Sequence, residues 1–130
     1  MTDSIKQTVT LSGTPAQVYK ALMTSKGHAA FTGAPAEVSP KIGGTVSAWG
    51  DYILAINLAL TRDKLIVQAW RASDWPAEAW SIATFRLAAA RGGKTKLTFT
   101  QVGVPKKALK GIAQGWHDFY WSPLNAWLTK

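Results

Sequence analysis

The sequence predicts an α+β fold in which one curved antiparallel β-sheet wraps around a long C-terminal α-helix. Three observations carry this. From Lys106 to Leu128 the large apolar residues Leu109, Ile112, Trp116, Tyr120, Leu124 and Trp127 recur at helical spacing, so one side of a helix needs a broad concave partner. Between about Tyr52 and Val102 the apolar period changes to two, with turn residues separating the runs, which is hairpin chemistry. No strand–helix–strand crossover rhythm occurs, so the sheet is antiparallel with its helices on one face.

Taken in order, Ile5, Val9 and Leu11 alternate with polar residues in a first strand, KQTVTLSG. Ser12-Gly13-Thr14-Pro15 opens a helix, with Thr14 able to cap it, Pro15 suited to its first position, and Val18, Tyr19 and Leu22 on its apolar side. A second short helix covers Lys26 to Phe31 and stops at Gly33. Ala34 to Pro40 is extended, and Ile42-Gly43-Gly44 turns the chain into a strand from Thr45 to Trp49. Four further strands run from about Tyr52 to Leu60, Lys64 to Arg71, Trp80 to Leu87 and Thr95 to Val102. Pro123, inside the last helix, removes one backbone bond and should bend that helix along the sheet.

A chain of 130 residues suits one domain over its whole length, burying roughly two thirds of its unfolded surface. The absence of cysteine excludes disulfide and thiolate chemistry. MTDSIKQTVTL lacks a basic segment followed by an apolar run, and the longest apolar run is too short for a bilayer, so a cytoplasmic protein without membrane insertion is expected. The net charge of +8 is spread over turns and element ends, with only Lys106, Lys107 and Lys110 clustered. That is a solvated surface, and no zinc-finger spacing, basic helix or ribonucleoprotein aromatic signature points to nucleic acid.

Several local motifs resemble one family. Ala29-Ala30-Phe31-Thr32-Gly33-Ala34-Pro35, Val67-Gln68-Ala69-Trp70-Arg71 with Asp74-Trp75-Pro76, Leu97-Thr98-Phe99-Thr100-Gln101, Gly103-Val104-Pro105, and Gly115-Trp116 with Tyr120-Trp121 are similar to the activator of 90-kDa heat shock protein ATPase homologues. That family belongs to the SRPBCC, or START-like, superfamily. The resemblance implies a helix-grip fold, as in the birch-pollen allergen, with a cavity between sheet and helix. It also implies a heat-shock chaperone as a partner. The similarity is to the C-terminal of the two domains of the eukaryotic co-chaperone.

Alternation places Ile66, Gln68 and Trp70, then Ser81, Ala83, Phe85 and Leu87, then Leu97, Phe99 and Gln101 on the face toward the helix. The expected cavity residues are His28, Phe31, Gln68, Trp70, Ala83, Phe85, Phe99, Gln101, Trp116 and Tyr120, holding a small apolar ligand, a lipid or an aromatic metabolite. Gln68 and Gln101 each need a partner, since a buried amide left unpaired costs about 1–3 kcal/mol. A structural hydrogen bond or a ligand's polar head could serve. His28 is expected over one mouth of the cavity, and His117-Asp118 reads as a solvated pair. Trp75-Pro76 is either a recognition edge or a plug at the sheet's end.

No carboxylate falls on the inward phase, and no Ser-His-Asp arrangement, phosphate loop or metal-ligand spacing occurs. The expectation is therefore a non-catalytic module with no cofactor, no metal and no catalytic residue. Leu54, Ile56, Val67, Ala69, Trp80 and Ile82 fall on the opposite, convex phase, where polar residues are usual. That predicts a homodimer through this face, unless a bulge in the Tyr52 to Leu60 strand swaps the phase.

Overall fold

The computed structural model describes residues 4–130. Its elements are β1 (Ser4–Leu11), α1 (Pro15–Met23), α2 (Ser25–Thr32), β2 (Ala36–Val38), β3 (Thr45–Ala48), β4 (Ile53–Thr61), β5 (Leu65–Ala72), β6 (Ser81–Ala90), β7 (Lys94–Val102), α3 (Leu109–Trp116) and α4 (Ser122–Leu128). The seven strands form one sheet in the order β1-β7-β6-β5-β4-β3-β2. Every pairing is antiparallel, and β1 returns to lie along β7 from Ser4 opposite Val102 to Leu11 opposite Thr95.

Local chemistry explains the starts and stops. Thr14 and Gln17 form a reciprocal capping box at α1, with Pro15 in its first turn. Gly33 ends α2 in the left-handed conformation, its N–H bonded to the Ala29 carbonyl. The segment read only as extended supplies β2, a three-residue edge strand on β3. α1 meets β6 and β7, while α2 meets α4 and β2. No helix of the described residues is long and apolar enough to cross a membrane.

The two faces of the sheet separate as the alternation requires. Ile66, Gln68, Trp70, Ser81, Ala83, Phe85, Leu87, Leu97, Phe99 and Gln101 are all buried. A bulge does occur in β4, at Leu58, where the register passes from Asn57 opposite Gln68 to Ala59 opposite Val67. It lies beyond Leu54 and Ile56, so those two keep their outward phase. Leu54, Trp80 and Ile82 are exposed, whereas Ile56, Val67 and Ala69 are half-buried. Ile56, Ala69, Ile82 and Val102 sit opposite one another on successive strands, an apolar row across the convex face.

The C-terminal segment is not the single regular helix that its apolar spacing suggests. A 3₁₀ turn (Lys106–Ala108) leads into α3, and a π-helical turn (His117–Trp121) separates α3 from α4. The Ser122 N–H reaches back five residues to the His117 carbonyl. Pro123, next in the chain, has no N–H to offer and its ring crowds the preceding turn, so the wider turn absorbs the disturbance expected there as a bend. The insertion also changes which side chains face inward. At regular helical spacing Trp121 would point about 140° away from Trp116, yet the two indoles stack with centroids 5.4 Å apart and planes 18° from parallel.

Candidate functional site

The centre of the grip is filled by rings. Phe85 and Phe99 lie 5.0 Å apart on the sheet, and Phe99 meets Trp116 at 4.4 Å and Trp121 at 5.4 Å. The Trp116 and Trp121 indoles are also tied by their N–H groups. Trp116 Nε1 donates to Gln101 Oε1 at 2.8 Å, Gln101 Nε2 to Ser81 Oγ at 2.9 Å, and the Ser81 hydroxyl to the Trp70 carbonyl at 2.8 Å. Trp121 Nε1 donates to Gln7 Oε1 at 2.7 Å, and Gln7 Nε2 to the Ala113 carbonyl at 2.8 Å. Gln7 thus binds β1 to the helix at two points. Gln68 Nε2 donates to Asn57 Oδ1 at 3.0 Å, and Asn57 in turn donates to the Ser39 and Lys41 carbonyls. Both inward glutamines therefore have protein partners.

His28 does not stand over an opening but is itself buried. Its Nε2 and the Tyr120 hydroxyl are 3.0 Å apart, while Nδ1 is buried without a partner. Burial drives the imidazole down to about 4 and pushes the Tyr120 phenol above its ordinary range. Beside this pair a small cavity of about 20 Å³, bordered by His28, Gln68, Trp70, Phe85, Trp116 and Tyr120, has room for about one water. His117 is exposed, and Asp118 accepts from Gln114 Nε2 at 2.9 Å.

The large space lies at one end of the grip. A half-open cleft of about 780 Å³ is bounded on the sheet side by Trp49, Tyr52, Ile53, Trp70, Asp74 and Trp75, and on the helix side by Lys107, Ala108, Gly111, Ile112, Gly115, Trp116, Phe119 and Tyr120. That volume is in the range of small-molecule sites. Trp75 is buried against Trp70, with centroids 5.4 Å apart. Arg71 holds its loop by donating to the Trp75, Pro76, Ala77 and Ala79 carbonyls. At the mouth, Phe119 meets Trp49 edge-on at 5.3 Å and remains 51% exposed. The Tyr52 hydroxyl lies 3.4 Å from Asp74 Oδ2.

Of the residues expected to form a cavity, Trp70, Trp116 and Tyr120 border this cleft. His28, Gln68 and Phe85 surround the water-sized void beneath it. Phe31, Ala83, Phe99 and Gln101 are buried in packed core and border neither space. The free volume is displaced toward the helix start because Trp121, turned inward, occupies the middle. Sequence reasoning missed Trp49, Tyr52, Lys107, Gly111, Gly115 and Phe119 as lining residues. A signal was present: Lys107, Gly111, Gly115 and Phe119 are spaced by four. Among the described residues no group of three His, Asp or Glu side chains is placed to hold a metal.

A seven-stranded antiparallel sheet closed over a C-terminal helix, with an aromatic cleft at one end, defines a helix-grip domain of the SRPBCC type. The family model described as activator of Hsp90 ATPase homolog 1-like protein matches residues 12–129, and the chain belongs to this family. It is 26% identical over 124 residues to an uncharacterized protein of Schizosaccharomyces pombe, covering 95% of this chain and 37% of that one. It is 26% identical to a Dictyostelium discoideum activator of 90 kDa heat shock protein ATPase homolog, covering 78% of this chain and 27% of that one. The chain thus spans about a third of the length of these relatives. The fold is shared with an HSP90 activator from Plasmodium falciparum, with TM-score 0.91 and 23% identity over 97% of this chain and 96% of that one. It is shared also with an Aha1 from Colwellia psychrerythraea solved as a dimer, with TM-score 0.76 and 18% identity over 95% and 94% of the two chains.

The buried imidazole makes stability depend on pH. Above its ordinary value of 6.5, His28 is neutral whether the chain is folded or not. As the pH falls from there toward about 4, the unfolded chain takes up the proton first and the folded state loses about 3 kcal/mol. Denaturant titrations between pH 7 and 4 should show this loss, and His28→Gln should remove that part of it. An unchanged pH slope in the variant contradicts the assignment.

Proposed function

We propose that this domain is a non-catalytic binding module whose cleft between sheet and C-terminal helix holds a small, largely apolar ligand. The observation that carries the reading is the 780 Å³ cleft walled by Trp49, Trp70, Trp75, Trp116 and Phe119. Aromatic rings supply contact area at low conformational cost, and the convergent Tyr52, Asp74 and Lys107 give a bound molecule an orientation. His28 and Tyr120 are occupied with each other and held in their neutral forms, which favours binding over acid–base chemistry. Native mass spectrometry of gently purified protein, with a thermal-shift screen of lipids and aromatic metabolites, tests this. Co-purifying mass or a raised midpoint is expected, with Trp75→Ala abolishing it. No stabilisation by any compound contradicts it.

A second reading, from the family, is a co-chaperone-type domain that binds a heat-shock ATPase in the cytoplasm. Membership in the activator family supports it, and a net charge of +8 suits an acidic partner surface. The host's 90-kDa chaperone should be retained by the immobilised domain at low salt and released as salt rises. Failure to bind at any ionic strength contradicts this reading.

The convex row supports a homodimer as the assembled form. Leu54, Ile82 and Val102 are 40%, 43% and 58% exposed, and Trp80 sits beside them with the Arg71 guanidinium 5.8 Å from its ring centre. A self-complementary apolar patch is what a two-fold interface uses. Sedimentation at high micromolar concentration should give twice the 14.0 kDa chain mass, reduced to a monomer by Ile82→Lys. A monomeric unmodified chain under those conditions contradicts the dimer.

A further inference from the structure

One edge of the C-terminal helix carries Lys107, Gly111, Gly115 and Phe119 at four-residue intervals, a cation, then two turns of bare backbone, then a ring. All four border the cleft. From Lys107 to Phe119 the helix rises about 18 Å. Nothing in the fold asks for glycine at the two middle places. Neither Gly111 nor Gly115 has a positive φ. A Cβ at Gly111 would meet nothing within 4 Å, and one at Gly115 would meet only Phe119 Cδ2 at 3.7 Å, an ordinary contact. Gly13 differs, since a Cβ there would come within 2.7 Å of Leu128.

Glycine is a poor helix former because its backbone loses the most freedom on folding. The helix therefore gives up stability at both positions, and what it gains in return is open space facing the indoles. Functional sites that sacrifice stability in this way are common.

We propose that the Gly111–Gly115 strip is the floor of a site for a planar aromatic anion. This rests on the reading of the cleft as a ligand site and names the ligand class. A flat molecule fits because the bare strip has no side chain to interrupt it, and the indoles of Trp70 and Trp75, with centroids 5.4 Å apart, border the same cleft. An aromatic one fits because Phe119 and Trp49 meet edge-on at the mouth, leaving ring faces and edges for offset contact. The negative group belongs at the Lys107 end, where Lys106 and Lys110 adjoin in the chain and the helix-side lining holds no other charge. The carboxylate of Asp74 is on the opposite wall, beside the Tyr52 hydroxyl.

The test uses two fluorescent probes with the same ring system, 1-anilinonaphthalene-8-sulfonate and its uncharged counterpart N-phenyl-1-naphthylamine. Each is titrated into the full chain and into Lys107→Gln, Gly111→Leu and Gly115→Leu. The sulfonate should bind with one-to-one stoichiometry, about threefold to tenfold tighter than the uncharged probe, and Lys107→Gln should erase that preference. The leucine variants should keep their circular dichroism, melt higher than the parent, and bind both probes more than about tenfold more weakly. Leucine variants that fold and bind like the parent overturn the proposal. Equal binding of the two probes, blocked by leucine but indifferent to Lys107, overturns the anionic class while leaving the cleft a ligand site. No binding of either probe overturns the underlying reading and this one together.

Discussion

The hydrogen bond from the Ser122 amide back to the His117 carbonyl inserts one residue into the last helix, and the interior is arranged around that insertion. It turns Trp121 onto the same side as Trp116, where regular helical spacing would send it elsewhere. The stacked pair then covers Phe85 and Phe99, so the middle of the grip is ring against ring. The same turn carries Phe119 to the cleft mouth, and Pro123 follows it where its missing N–H does least harm.

Most of the polar groups inside act as ties between elements. Gln101 and Gln7 accept from the Trp116 and Trp121 indole N–H groups, Ser81 accepts from the Gln101 amide, and together they link sheet to helix. Asn57 and Gln68 hold the loop between β2 and β3 against β4, and Asn125 Oδ1 accepts from the Ser12 N–H at 2.8 Å, fastening the far end of the helix to the end of β1. A buried amide or indole pointed at the wrong partner would be costly, so these bonds select one rotation of the helix about its axis. That fixed rotation presents the glycine strip to the indole wall.

Much of this was legible in the residues. The period-two runs placed the five longest strands to within a residue or two at most ends, and their phase identified the inward residues of β5, β6 and β7. Trp116 and Leu124 were correctly turned inward by helical spacing, with Trp127 half-buried at the edge. What periodicity could not reveal was any break in the period itself. Trp121 was invisible as a core residue because the pattern was read with a constant angle per residue, and the location of the free volume depended on Trp121. Gln7 and Asn57 were passed over because a polar residue on a strand is ordinarily counted as outward. The bulge at Leu58 was foreseen as a possibility, but its position, beyond Ile56, was set by the β4–β5 register and not by composition.

The claim on which the account stands is that Trp116 and Trp121 both lie inside, each with its N–H committed to a glutamine. Hydrogen exchange of the two indole N–H protons, followed by NMR after transfer to heavy water, tests it most directly. Both signals should persist for as long as the most protected amides of β6 and β7. Exchange of the Trp121 signal at the rate of a free indole, with Trp116 protected, would mean that the inserted turn does not bring the second ring into the core.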